Sequence, residues 1–215
     1  MSKEDPNKEN EKQGLKDLLP KEAFLRLYLA SLEEGEVKAD KSVTQRFSQQ
    51  VPQEYKESFA LSLENAKREL KAQLMLKAEI LAADFYDQVA ENNDRCTKES
   101  KDEAVRLEAE GNVECAKFDE EWLNGCIAID AGPETEDKKL KYKMTLHESI
   151  SERAEKIRAD VPVAIKEACS KKSDELLNHI REMAEQVKGN MMALGEEFMT
   201  AYLEKVEVMV EEFKS

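Results

Sequence analysis

Apolar residues recur along this chain at steps of three and four, the spacing that puts them on one face of an α-helix. From Pro52 onward Tyr55, Phe59, Leu63, Ala66, Leu70, Leu74, Ala78, Leu81, Phe85 and Val89 keep this rhythm without a Gly or a Pro among them, which predicts a long amphipathic helix. Ahead of it, Phe24, Leu25, Leu27, Tyr28, Leu29 and Leu32 form a broad apolar face between Pro20 and Gly35. Proline suits a first helical position and glycine the residue that follows a helix, so a short helix is expected from Pro20 to just before Gly35. A second short helix is expected from Asp40, acting as N-cap, to about Gln50, with Val43 and Phe47 inward; Val51 precedes Pro52 and so disfavours α geometry.

Asn92-Asn93-Asp94 interrupts the long pattern and reads either as a turn or as a polar patch on a continuous rod. Beyond it Ala104, Leu107, Gly111, Cys115, Phe118, Trp122 and Cys126 form a seam with near-heptad steps. Ala131-Gly132-Pro133 is the clearest turn, and the acids Glu134, Glu136 and Asp137 after it suit the positive end of a new helix. Leu140, Met144, His147, Ile150, Ala154, Ile157 and Val161 supply the next stripe, continued by Ile165, Cys169, Leu176, Ile180, Met183 and Val187 after a kink or restart at Pro162. Gly189-Asn190 reads as a break or bend, followed by a seam of Met191, Gly195, Phe198, Tyr202, Val206, Met209 and Phe213. No stretch alternates like a strand. The fold class is therefore all-α, with long amphipathic helices in an elongated antiparallel bundle or coiled-coil-like arrangement. The expected organisation is a disordered tail over residues 1–16, a helical region over 17–130 with two short and two long helices, and a helical region over 134–215 that packs back on the first.

Composition sharpens this picture. Charged residues make up 37% of the 215-residue chain, with only 7 Gly and 5 Pro, as long helices require. A formal charge of −14 sets the net field against nucleic acid and anionic lipid. The basic clusters Lys138-Lys139-Leu140-Lys141 and Lys171-Lys172 are flanked by acids and read as solvated helix faces. The N-terminal residues carry no apolar leader, and no segment approaches the roughly 20 apolar residues of a membrane span, so a cytoplasmic protein without membrane insertion is expected. Cys96, Cys115, Cys126 and Cys169 lie far apart and form no C-x-x-C pair, which points to reduced thiols on or near helix faces.

Catalytic chemistry finds few footholds. The seven glycines are scattered, so neither a phosphate-cradling loop nor a dinucleotide fingerprint is present. A di-iron helix motif needs Glu three residues before His, where Met144 and Leu176 stand instead. His179 lies between Glu175 and Glu182 on one face, an arrangement that reads as a solvated ladder with a metal or acid–base role as the alternative. No catalytic, cofactor-binding or metal-binding residue is assigned. Trp122 with Phe118 reads as core or as an interface anchor, and Met183, Met191, Met192, Met199 and Met209 as core filling or as an adaptable groove. Phe118, Trp122, Met191, Phe198 and Tyr202 are the candidate interface residues.

Two stretches resemble the helical region that follows the GTPase domain in guanylate-binding and atlastin-type large GTPases. Phe24-Leu25-Arg26-Leu27-Tyr28-Leu29-Ala30-Ser31-Leu32-Glu33-Glu34-Gly35-Glu36-Val37 is similar to its opening helix and turn, and Gly195-Glu196-Glu197-Phe198 with Tyr202-Leu203-Glu204 to a later helix. The resemblance implies a helical stalk or effector module that packs, dimerises or transmits force without nucleotide chemistry of its own. This chain departs from that family in lacking a GTPase domain, and no catalytic residue carries over. The expected function is that of a non-enzymatic helical interaction or scaffold protein with a protein partner or a second copy of itself. Its rival is a bundle enclosing a ligand pocket.

Overall fold

The computed structural model describes residues 20–214, so the tail expected over residues 1–16 lies outside the described residues. Three helices carry almost all of the described chain: α1 (Lys21–Arg46), α2 (Lys56–Ala131) and α3 (Glu136–Lys214). A 3-10 turn, Gln53–Tyr55, leads into α2. The protein is all-α, and its helices pack in two units: residues up to Ala90 together with those from His179 onward, and residues Glu91–Asn178.

The first unit is a three-helix bundle. From α1 it buries Phe24, Tyr28, Leu32, Gly35, Ala39 and Val43, a stripe with steps of three and four. From α2 come Phe59, Ala66, Leu70, Leu74, Ala78, Ala82 and Phe85, and from α3 Ile180, Met183, Ala184, Met191, Leu194, Phe198, Tyr202, Val206 and Val210. At one end the Phe24 ring meets Phe85 edge-on at 5.1 Å; at the other Phe59 meets Phe213 at 5.6 Å. Such edge-to-face pairs are the favoured aromatic geometry. Among the described residues no charged side chain is buried.

The expected pair of short helices is in fact the single helix α1. Gly35 does not end it. A Cβ at Gly35 would lie 2.1 Å from the carbonyl oxygen of Gly195, so its missing side chain serves a close approach of α1 to α3. Asp40 caps nothing; its carboxylate takes the Lys67 ammonium of α2 at 2.7 Å. Pro20 stands just outside the helix as N-cap and receives the Ala23 N–H on its carbonyl at 2.7 Å.

The second unit is an antiparallel hairpin of the last part of α2 and the first part of α3. Its turn follows Ala131, and Thr135 opens α3 by accepting the N–H groups of Lys138 and Lys139 on its carbonyl, both at 3.0 Å. Register is constant along the pair. Lys143 reaches Asp130 near the turn, Arg153 reaches Glu121 further in, and Lys172 reaches Glu99 near the far end. Two glycines let the helices close: a Cβ at Gly125 would lie 2.4 Å from Leu146, and one at Gly111 would lie 2.5 Å from Val161.

Both long helices run unbroken where interruptions were expected. α2 passes through Asn92-Asn93-Asp94, so the polar-patch reading is the correct one, and α3 passes through Pro162 and Gly189-Asn190. Pro162 is exposed and removes only one N–H donor from a helix held by its neighbours on both sides. The start of the α3 stripe is also rephased. Lys139, Lys143 and Leu146 occupy the seam positions, while Leu140 and Met144 stand exposed and His147, at the seam's edge, turns its ring against Trp122. The cause is that Lys143 and Lys139 reach back over the turn to the carboxylate and carbonyl of Asp130, which fixes the rotation of the first turns of α3.

Candidate interaction surface

The hairpin presents two chemically distinct rims on either side of its seam. Successive helical residues step about 100° around the axis, so Glu121, Trp122 and Leu123 point to one rim, the seam and the other rim in turn. On the first rim the Arg153 guanidinium lies 5.0 Å from the centre of the Phe118 ring and pairs with Glu121 at 2.6 Å. Further along the same rim Arg106 bridges Glu103 and Glu110. The Arg106 hydrogen bond holds the Glu103 carboxyl below its usual range, and both carboxylates raise the guanidinium's own pKa. This rim is a solvated, charge-balanced surface.

The second rim is marked by the Trp122 ring, which meets His147 edge-on at 5.5 Å. One residue beyond the seam on α2 stand Leu123 and Ile127, each 60% exposed. Opposite them Leu140 and Met144, which share the face of His147 on α3, are 60% and 56% exposed. Asp119, Glu148, Glu155 and Glu108 lie along the same rim, and none of them joins an ion pair among the described residues. Four large apolar side chains thus stand in solvent, with Asp119 and Glu148 a helical turn away and Lys141 next to Leu140. Isolated exposed apolar residues are ordinary, whereas a contiguous group is a feature of binding surfaces.

The five candidate interface residues divide between the units. Phe118 and Trp122 sit half-buried on the hairpin seam. Met191, Phe198 and Tyr202 each have no exposed surface and form the α3 side of the three-helix core, so a single chain already covers them. Of the methionines, Met183 and Met191 are core, while Met192 and Met199 line an open depression of about 440 Å³ between α1 and α3, with Leu27 and Ser31 opposite.

The most polar cluster of the bundle surrounds Lys67. Its ammonium pairs with Asp40 at 2.7 Å and Glu64 at 3.4 Å and lies 5.8 Å from the centre of the Tyr202 ring. Partial burial works against the charged form of Lys67, and the Asp40 hydrogen bond with the charges of Asp40 and Glu64 outweighs it, so the pKa is raised. Beneath it the Tyr202 hydroxyl is buried with no hydrogen-bond partner, and burial, then the charges of Asp40, Glu64 and Glu36, push its pKa up. His179 is exposed and its neighbour Glu175 pairs with Lys171, so the expected Glu–His–Glu ladder is solvated. The Cys169 and Cys96 thiols lie against the Ser100 and Lys172 carbonyls across the hairpin, at 3.9 and 3.7 Å.

The exposed rim is hidden in the sequence because the apolar period at the start of α3 runs one residue out of phase with the seam. A signal was present in α2, where Val105, Ala109, Val113, Ala116, Leu123 and Ile127 form a second apolar stripe behind the seam residues. The stretches that resemble the large-GTPase helical region meet in the bundle, where the Gly195 N–H donates to the Ser31 hydroxyl at 3.2 Å and that hydroxyl donates to the Met192 carbonyl. No family model, curated protein or solved structure matches the chain. No described helix is long and apolar enough to cross a membrane.

Proposed function

We propose that the protein is a non-enzymatic helical interaction or scaffold protein, in which the hairpin unit carries the binding surface. The observation that carries this reading is the exposed apolar group Leu123, Ile127, Leu140 and Met144 on a hairpin that buries little of its own surface. Exposed apolar side chains also occur on the bundle, among them Leu61, Leu76 and Val208, but on the hairpin four of them gather on two neighbouring helices. On the hairpin they stand where helix packing gives them no use, and transferring them from water to a partner is worth about 25 cal/mol per Å² of apolar area before the costs of association.

A photo-crosslinking residue placed at Leu123 or Met144 in the full chain, expressed in its native cell type, tests this. Discrete adducts of defined mass are expected from these positions and not from Tyr142, which is also exposed, at 51%, on the opposite rim. The absence of adducts, or the same adducts from Tyr142, would overturn the reading.

A further inference from the structure

We infer that the occupant of this rim is a basic amphipathic helix of another protein, an inference that rests on the interaction reading above and names its partner class. The first argument is charge. Between Asp102 and Asp130, α2 carries nine acidic residues and two basic ones. The two basic residues do not serve the apolar rim: Arg106 is held by Glu103 and Glu110, and Lys117 precedes Phe118 on the Arg153 side. The facing stretch of α3, residues 136–161, carries six acids and seven bases, so the two stretches together hold six more acids than bases; Asp119 beside Leu123 and Glu148 beside Met144 face whatever docks there, with Lys141 next to Leu140 as a cation of the same rim. A second copy would bring the same excess of acid, on a chain already at −14, and is disfavoured by like-charge repulsion.

The second argument is shape. Leu123 and Ile127 are one helical turn apart on α2, and Leu140 and Met144 one turn apart on α3, so the apolar side chains form two parallel rows with the Trp122–His147 contact between them. Two rows on neighbouring helices make a shallow groove that accepts a third helix by its i, i+3, i+4 and i+7 side chains. The exposed apolar area is on the order of 400 Å², comparable to the largest patch of an ordinary monomer and smaller than a standard protein interface. A micromolar, salt-sensitive complex is the corresponding expectation.

The test uses the full chain and three synthetic 20-residue helical peptides: one with Leu and Met on one face and Lys and Arg on the other, one with Glu in place of the bases, and one with the basic sequence scrambled. Titration calorimetry should give micromolar binding of the basic amphipathic peptide alone, weakened tenfold or more by Leu123→Asp or by Met144→Asp and severalfold by Asp119→Lys. Glu110→Lys on the opposite rim should leave it within twofold, and circular dichroism should show all four variants folded. No binding of the basic peptide, equal binding of the scrambled one, or equal affinity in the Leu123→Asp protein would overturn the inference. So would a wild-type dimer in sedimentation that Leu123→Asp dissociates, since a second copy would then hold the rim. Adducts to another protein in the crosslinking experiment, with no peptide binding, would leave the interaction reading standing and remove only the basic-helix assignment.

Discussion

Gly35 and Gly195 meet backbone to backbone, so closely that a Cβ on Gly35 would fall 2.1 Å from the Gly195 carbonyl oxygen and one on Gly195 would fall 2.0 Å from the Ser31 carbonyl oxygen. Backbone cannot rotate away as a side chain can, so the helices must separate to admit even a methyl group. Gly35→Ala and Gly195→Ala are each expected to lower stability in urea unfolding by about 1–3 kcal/mol or more, the usual cost of overpacking, despite the better helix propensity of alanine.

Gly189 supplies the opposite case on the same helix. A Cβ there meets nothing within 4 Å. Only propensity remains, and Gly189→Ala should raise stability by up to about 1 kcal/mol. A loss of stability on this substitution, measured by the same unfolding curve, would show that a bend at Gly189 is required.

Tyr202 packs its ring fully inside while its hydroxyl lacks a partner. Tyr202→Phe removes an unsatisfied polar atom and keeps the aromatic face under Lys67, so it should leave stability unchanged or raise it by about 1 kcal/mol. Tyr202→Ala should cost about 3–5 kcal/mol through the cavity it leaves.

The same residue predicts an alkaline effect. Burial raises the folded-state pKa of Tyr202 above its ordinary value of 10.0, and that of Tyr28 likewise. Both are neutral when protonated, so the unfolded chain releases protons first as pH rises past 10, and stability falls from there upward. Lys67, whose pKa is also raised, contributes with the same sign. Urea midpoints measured from pH 9 to pH 11 should therefore decline in the wild type and decline less in Tyr202→Phe.

The seam and rim of the hairpin should respond differently to charge. Phe118→Asp and Trp122→Asp put a carboxylate between packed helices and are expected to cost about 1–3 kcal/mol, with faster amide exchange through residues 104–129. Leu123→Asp, on a residue already 60% exposed, should stay within about 0.5 kcal/mol. Equal losses at both positions would place Leu123 inside.

Much of this protein was legible from spacing alone, because a helix buries side chains by a local rule. The inward positions Phe24, Phe59, Leu70, Phe85, Phe198, Tyr202 and Val206 follow from steps of three and four, and the reversal after Ala131 follows from Gly132-Pro133. Local rules also misled. Gly35 looks like a helix end by propensity, and only α3 lying against it shows that the missing Cβ serves contact. Leu140 and Met144 look inward by period, yet Lys139 and Lys143 hold that face because Asp130 across the turn takes their ammonium groups. The sequence by itself determined the all-helical class and the apolar stripes, though not where each helix begins and ends. Tertiary structure alone decided which helix faces another and in what rotation, because one residue of phase is about 100° of helix, enough to turn a core side chain into a binding surface.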